Sequence, residues 1–380
     1  MKTVRIIALH LAYGGIEKAI INMANLFAER YDVEILSVYD MPGAPAFPLD
    51  ERVKVKYLLN EIPNREEWKA ACRAKNPVSI IREGLKAFRI LKNKKRCVVD
   101  AISSINDGVI ISTRPEHNIL LSKYGNKDVL KIAQFHQDHR FEKQYMDAFA
   151  NEYSNIDIFT HLTPSLMDEV SEMMKNNHHT KHVYVPNFLE TLPDLTELPS
   201  RDKTIVSVGR LHPVKGFDRL VSAFARLSSL YPDWTVKIIG DGEEYSKLQN
   251  MIKDSGLEDK IILAGKMNST ELEAEMMKAS INVMTSHSEG LSFVTLESQS
   301  CGLPLVAYDV RVGNKMVVRD GENGFLVPDG DEDAFVEKLG MLMGDVELCA
   351  QMGRNAAKRT EEFSRENVSR IWFDVLENHV

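Results

Sequence analysis

Two carboxylates and two cations on this chain fall where strands run into helices, and that placement limits what they can do. Glu289 and Glu297 lie in SHSEGLSFVTLESQSCGLP (286–304), between the apolar runs INVMTSH and LPLVAYD. The pattern predicts a buried strand, a tight turn through Gly290, Leu291, Ser292 and Phe293, and a short helix that carries Glu297 and closes at Gly302 and Pro304. A helix start offers unpaired N–H groups and the positive end of the helix dipole, so it holds an anion without any basic side chain. Acids beside such a site repel the anion itself, and fit better as acceptors for hydroxyl groups attached to it. A phosphate with hydroxyl-rich groups on both sides describes a nucleotide sugar.

Arg210 and Lys215, in GRLHPVKG (209–216), follow another strand end at Gly209 and precede a helix starting near Phe217. Two cations at one helix start are disfavoured by the dipole, and an anion held between them removes the conflict. Solvated surface charges are the plainer explanation; the strand-to-helix context favours a diphosphate. Gly14 and Gly15, in GGIEK, follow the first strand and open a helix, which suits a phosphate as well as it suits an ordinary βα turn. His136, in QFHQDHR, ends a strand and is a candidate for the same chemistry, although a single histidine is more often structural. His178, His179 and His182 cluster without a cysteine or carboxylate at ligand spacing, so a solvated segment is expected there and no metal.

The elements that must position these residues alternate along the whole chain. Strands are expected at 4–10, 33–39, 109–113, 129–136, 157–163 and 182–187, and again at 204–209, 234–240, 260–265, 281–286, 303–308 and 324–328, with helical patterns between most of them. This is an α/β chain of parallel sheets covered on both faces. Residues 1–188 form one expected domain and 204–364 a second. Residues 189–203, polar and carrying Pro193 and Pro199, read as a linker, and 365–380 as a last helix anchored by Trp372 and Phe373 that packs back on the first domain. Ligands of doubly wound sheets sit outside the carboxyl ends of the strands.

Composition narrows the partners. The net charge of −8 divides into +2 for residues 1–190 (26 Lys/Arg against 24 Asp/Glu) and −10 for the rest (21 against 31), so the first half is the one to face an anionic surface. Neither half is basic enough for nucleic acid, and no recognition-helix or RNP-type motif is present. Four scattered cysteines give no disulfide framework or zinc motif. The absence of a long apolar window and of a signal-peptide pattern places the chain in the cytoplasm. The segment VSIIREGLKAFRILKNKKRC (78–97) sets apolar residues beside seven Lys/Arg at helical spacing. It reads either as a core helix with a charged outer face or as a helix lying on anionic lipid at the inner membrane face.

Together these residues resemble the retaining glycosyltransferases of GT-B architecture, two facing Rossmann-like doubly wound domains with a cleft between them, and in particular glycosyltransferase family 4 (glycosyl transferases group 1). The likeness covers nearly the whole chain and is strongest from Thr204 to Gly330. It implies that Gly209, Arg210 and Lys215 bind the donor diphosphate with Gly15, that Glu297 holds the ribose hydroxyls, and that Glu289, with Gly290, Leu291, Ser292 and Phe293, meets the transferred sugar. It makes His136 the histidine near the reacting sugar, and gives Asn187 a structural role. Two departures stand out: Gly290-Leu291-Ser292 where Gly-Phe-Gly is common, and Asn314 with Lys315-Met316 where a proline and a carboxylate are frequent.

The expected activity is metal-independent transfer of a hexosyl group from a nucleoside diphosphate sugar, UDP being the commonest, to an acceptor hydroxyl in bacterial envelope, capsular or exopolysaccharide synthesis. No cofactor beyond the nucleotide-sugar co-substrate is implied. The acceptor is a glycan, a lipid-linked sugar or a polymer, which residues 40–130 do not distinguish. A sugar-nucleotide epimerase or phosphorylase of the same fold, or a non-catalytic nucleotide-sugar-binding module, are the alternatives.

Overall fold

A computed structural model of the chain describes residues 3–140, 142–195 and 200–378. The chain divides into two compact units: residues up to Val185 joined by those from Trp372 onward, and Pro186–Ile371.

The first unit is built on strands β1 (Thr3–Ala8), β2 (Asp32–Tyr39), β3 (Lys54–Leu59), β4 (Val109–Ser112), β5 (Leu130–Phe135), β6 (Ile158–His161) and β7 (Lys181–Tyr184). They form one parallel sheet in the order β3-β2-β1-β4-β5-β6-β7. Val4, Ile6, Ile7 and Ala8 are all buried, so both faces of β1 are covered, which is why these strands read as unbroken apolar runs. β3 is absent from the expected set of strands. Its KVKYLL alternates lysines with apolar residues because it is a half-exposed edge.

The second unit holds β8 (Thr204–Val208), β9 (Thr235–Ile239), β10 (Ile261–Gly265), β11 (Ile281–Met284), β12 (Leu305–Asp309) and β13 (Gly324–Pro328). Its parallel order is β10-β9-β8-β11-β12-β13, the doubly wound arrangement. The order reverses between β8 and β11 here, and between β1 and β4 in the first unit. A crevice for a ligand opens at such a reversal, beyond the carboxyl ends of the two strands.

Two boundaries differ from expectation. The first unit ends at Val185, three residues before 188, because the chain from Pro186 onward is tied to the second unit: Leu189 N–H donates to the Phe363 carbonyl (3.0 Å), Arg365 N–H donates to the Leu189 carbonyl (3.0 Å), and Arg365 pairs with Glu190 (2.9 Å). The start of the expected linker is therefore part of that unit, and residues 196–199, with Pro199, lie outside the described residues. The last helix, Arg365–Glu377, contributes its residues from Trp372 onward to the first unit. There Trp372 meets Phe27 edge-on at 5.3 Å, and Arg30 lies over the Phe373 ring at 3.8 Å while pairing with Glu377 at 2.9 Å.

The basic segment is one long helix, Pro77–Ser103, started by Asn76, whose side chain accepts from the Val78 and Ser79 amides ahead of a proline at the first turn. Ile90, Val98 and Ile102 are its apolar core contacts, whereas Ile81, Leu85, Phe88 and Leu91 are exposed. Of the two readings of this segment, the core helix with a charged outer face is thus corrected: the outer face is apolar as well as cationic. Among the described residues no helix is long and apolar enough to cross a membrane.

Candidate functional site

β8 and β11 lie side by side, and each runs directly into one half of the predicted constellation. After β8 the backbone passes close to the neighbouring strand end: Gly209 N–H donates to the Ile239 carbonyl (3.0 Å), and a Cβ on Gly240 would stand 1.9 Å from the Gly209 oxygen. Pro213–Lys215 then form a single 3-10 turn capped by His212, whose Nδ1 accepts from Val214 N–H at 3.2 Å. Gly216 leaves this turn in the left-handed region (φ +61°), and a side chain there would meet the Thr285 carbonyl at 2.3 Å. His287 N–H donates to the Val214 carbonyl (2.8 Å), stitching the turn to the loop after β11.

This stitching brings Lys215 to Glu289. Lys215 Nζ lies 2.5 Å from Glu289 Oε1, and Ser286 Oγ donates to the same oxygen at 2.6 Å. Glu289 is only 8% exposed, so its charge needs these donors. Arg210 is exposed, and its guanidinium meets no carboxylate among the described residues. The Lys215–Glu289 pair joins the turn after β8, which also carries Arg210, to the loop after β11, which leads into the helix Phe293–Ser300, at the reversal of strand order.

The predicted turn residues separate by role. Leu291 and Phe293 are buried, which leaves any part they take in binding to their backbone amides. Ser292 precedes the helix without capping it, and is half-buried. Asn187 Nδ2 donates to the Leu291 carbonyl at 2.7 Å, a structural role. Gly313 packs so closely that a Cβ would stand 1.7 Å from the Gly290 oxygen. Of the unusual residues nearby, Asn314 is buried and donates to the Tyr308 carbonyl (3.2 Å), and Lys315 pairs with Asp309 (2.9 Å).

Glu297 is half-buried, one turn into the helix. The helix itself is fixed by Asn282 donating to Ser298 Oγ (2.6 Å) and by Asn323 donating to Gln299 Oε1 (2.7 Å). At its far end Arg201 donates to the carbonyls of Cys301 (2.6 Å) and Ala279 (2.8 Å), joining the last turns of the helices Phe293–Ser300 and Ser269–Lys278.

In the first unit Gly14, more than Gly15, is demanded by packing. A Cβ on Gly14 would lie 2.0 Å from Glu17 Oε2, whereas one on Gly15 would meet nothing within 4 Å. Glu17 is buried and accepts from Arg114 Nη2 at 2.7 Å, with His10 Nδ1 3.6 Å from the same oxygen. Burial, and to a lesser degree the Arg114 charge, push the His136 imidazole down to about 4, so the ring is neutral near pH 7. Its Nε2 lies 3.2 Å from Gln134 Oε1. His136, Arg114, Ile16, Phe135 and Tyr145 border a cavity of about 450 Å³, and the buried Thr113 hydroxyl at its edge has no partner among the described residues. Sequence reasoning missed Glu17, Thr113 and Arg114. The signal was there: STRP runs from β4 into the helix Pro115–Tyr124 much as GRLHP leaves β8.

The three clustered histidines separate. His182 lies on β7, with its Nδ1 2.9 Å from His161 Nε2 of β6, and His179 pairs with Asp157 at 2.7 Å. His178 and His179 are exposed, as the expected solvated segment requires, and His182, on the strand, departs from it. Among those residues no group of three His, Cys, Asp or Glu is placed to hold a metal ion.

Residues 190–359 match the family described as glycosyl transferases group 1. Over 375 residues the chain is 31% identical to an exopolysaccharide phosphotransferase of Streptomyces coelicolor, covering 96% of this chain and 39% of that protein, so it spans about two-fifths of that relative's length. It is 28% identical over 369 residues to a glycosyltransferase of Haemophilus influenzae whose role is uncharacterized, covering 96% of each. In three dimensions it resembles the pneumococcal O-GlcNAc transferase GtfA, solved with UDP and GlcNAc, at a TM-score of 0.79 and 16% identity over 99% of both chains. That likeness shows the fold, which is GT-B.

Proposed function

We propose that this chain, a glycosyltransferase of the GT-B fold, moves a sugar from a UDP-sugar to an acceptor hydroxyl with retention of anomeric configuration, in the synthesis of a bacterial envelope, capsular or exopolysaccharide glycan. The observation that carries the reading is the meeting of Lys215 with Glu289 at the strand-order reversal, beside a helix start and the exposed Arg210. Cations and helix amides there suit a diphosphate, and a buried carboxylate beside them suits hydroxyl groups.

In this reading Arg210, Lys215 and the amides opening the helix Phe293–Ser300 hold the diphosphate. Glu297 takes the ribose hydroxyls and Glu289 those of the transferred sugar. The family resemblance assigns Gly15 to the diphosphate and His136, which is neutral, to the reacting sugar, and both belong to the first unit. The bond from the anomeric carbon to the diphosphate oxygen breaks, the bond to the acceptor oxygen forms on the same face, and the acceptor proton ends on the departing phosphate. The main barrier is charge developing on the leaving group, which preorganised cations lower without a metal. The choice of UDP rests on the nucleotide named with the similar GtfA structure.

A thermal-shift panel of UDP-, GDP- and ADP-sugars tests the donor, because a bound ligand raises stability in proportion to its affinity. A shift with UDP-sugars alone is expected; a shift only with GDP- or ADP-sugars overturns the base assignment, and none at all overturns the donor site. NMR of the product made with the active donor reads the anomer, and inversion would sink retention.

A further inference from the structure

On the helix Pro77–Ser103 the residues facing away from the core form a single line. Val78, Ile81, Leu85 and Phe88 are 73, 63, 67 and 69% exposed, and the line continues through Lys92, Lys95 and Arg96. At helical rise the apolar part is about 15 Å long. Arg82 and Arg89 flank it on the outside, while the inner side of the same helix carries Ile90, Val98 and the buried Glu83, which Asn64 holds by its carboxylate at 3.0 Å. An exposed row of large apolar side chains on an otherwise ordinary surface marks a contact site.

The charges identify the occupant. The helix carries seven Lys/Arg against Glu83 and Asp100 alone. Arg82, Arg89 and Arg96 are matched by Glu83, Glu61 and Asp100, and Lys86 feels Glu83 without forming an ion pair, but Lys92 and Lys95 have no carboxylate partner among the described residues. Unmatched lysines beside an outward apolar row suit a surface that is anionic outside and apolar beneath, with the lysine stems extending along the apolar layer and their ammonium groups at its edge. A second copy of this chain would set like charges against each other, and nucleic acid would leave the apolar row wet.

We infer that this helix face docks on an anionic lipid bilayer, with Ile81, Leu85 and Phe88 in the acyl boundary and Lys86, Lys92, Lys95 and Arg96 among the headgroups. The inference is independent of the donor reading. A membrane-seated first unit is suited to an acceptor that is itself lipid-linked or held at that surface.

Flotation of the whole chain with vesicles of phosphatidylglycerol and phosphatidylcholine, against phosphatidylcholine alone, tests it. Binding is expected with the anionic vesicles only, and should weaken as salt rises. The triple variant Lys92→Glu, Lys95→Glu, Arg96→Glu should lose on the order of 100-fold in affinity, and Leu85→Ser with Phe88→Ser at least about 10-fold. All of these positions are exposed, and a melting temperature and circular-dichroism spectrum unchanged from the parent show that the variants fold. Equal binding to neutral vesicles, no binding, or a dimer in light scattering that the Leu85 and Phe88 changes dissolve, would each overturn the inference.

Discussion

Lys215 Nζ and Glu289 Oε1 stand 2.5 Å apart, and the second donor to that oxygen, Ser286, holds it at 2.6 Å. The ammonium proposed for the diphosphate and the carboxylate proposed for the sugar are therefore joined to each other before the donor arrives. A diphosphate competes for the lysine, and its arrival leaves lone pairs of Glu289 open to hydroxyl groups.

Replacing Lys215 by alanine should keep the fold, because Ser286 still satisfies Glu289, and lower turnover by about 100- to 1,000-fold, the usual effect of removing one electrostatic donor at a developing charge. Steady-state rates with the donor found in the thermal-shift panel measure it. Near-normal turnover would remove Lys215 from the diphosphate.

The two glutamates should separate by titration with UDP alone, which carries a ribose but no transferred sugar. Glu297→Ala is expected to weaken UDP binding by about 10- to 100-fold, the worth of a hydrogen bond to a charged group. Glu289→Gln should leave UDP affinity nearly unchanged and depress turnover. The reverse pattern in calorimetry would exchange their roles.

Gly15→Ala and Gly313→Ala give opposite signatures. The Cβ at 15 enters open space, so stability should hold while transfer falls; the Cβ at 313 would stand 1.7 Å from the Gly290 oxygen. The second change should cost about 1–3 kcal/mol in urea unfolding, as overpacking does. A stable Gly313→Ala protein would mean that the loop before the helix shifts without penalty.

These pairings also mark how far the sequence could be read. Both sheets, the strand-to-helix turns and the positions of Arg210, Lys215, Glu289 and Glu297 were legible because buried parallel strands are unbroken apolar runs and helix starts have recurrent residues. β3 was not, since an edge strand with Lys54 and Lys56 carries only half the apolar signal. Nor was the Glu17–Arg114 pair, whose members are 97 residues apart and meet only because β1 and β4 are neighbours. The exposure of Leu85 and Phe88 was equally hidden: helical spacing shows that a face is apolar, and only the packing of Ile90 and Val98 shows which way it turns.

Acid should weaken the first unit partly through His136. Its pKa lies near 4 in the folded chain against 6.5 for an unperturbed imidazole, so between these values the unfolded chain binds more protons and stability falls as pH falls. The full contribution is present above about 6.5 and amounts to roughly 3 kcal/mol at most. His136→Gln should therefore lose less stability than the parent between pH 7 and pH 5 in urea unfolding. Identical losses would place His136 in water.

Removing divalent ions is expected to leave transfer unchanged, since the proposed charge on the leaving phosphate is met by Arg210, Lys215 and backbone amides. Dialysis against EDTA followed by rate measurement checks this, and a rate restored only by added magnesium would overturn it.

Arg201, lodged against the carbonyls of Cys301 and Ala279, sits at the opposite end of the very helix whose first amides face the crevice. A guanidinium at that end neutralises the negative pole of the peptide dipoles and leaves the positive pole uncompensated, to be matched by whatever anion arrives. The helix is eight residues long, so a residue about 12 Å from the proposed donor site would take part in setting how strongly a diphosphate is held there. Selection for a tighter or looser grip on nucleotide has in Arg201 a handle that leaves every contacting side chain as it is.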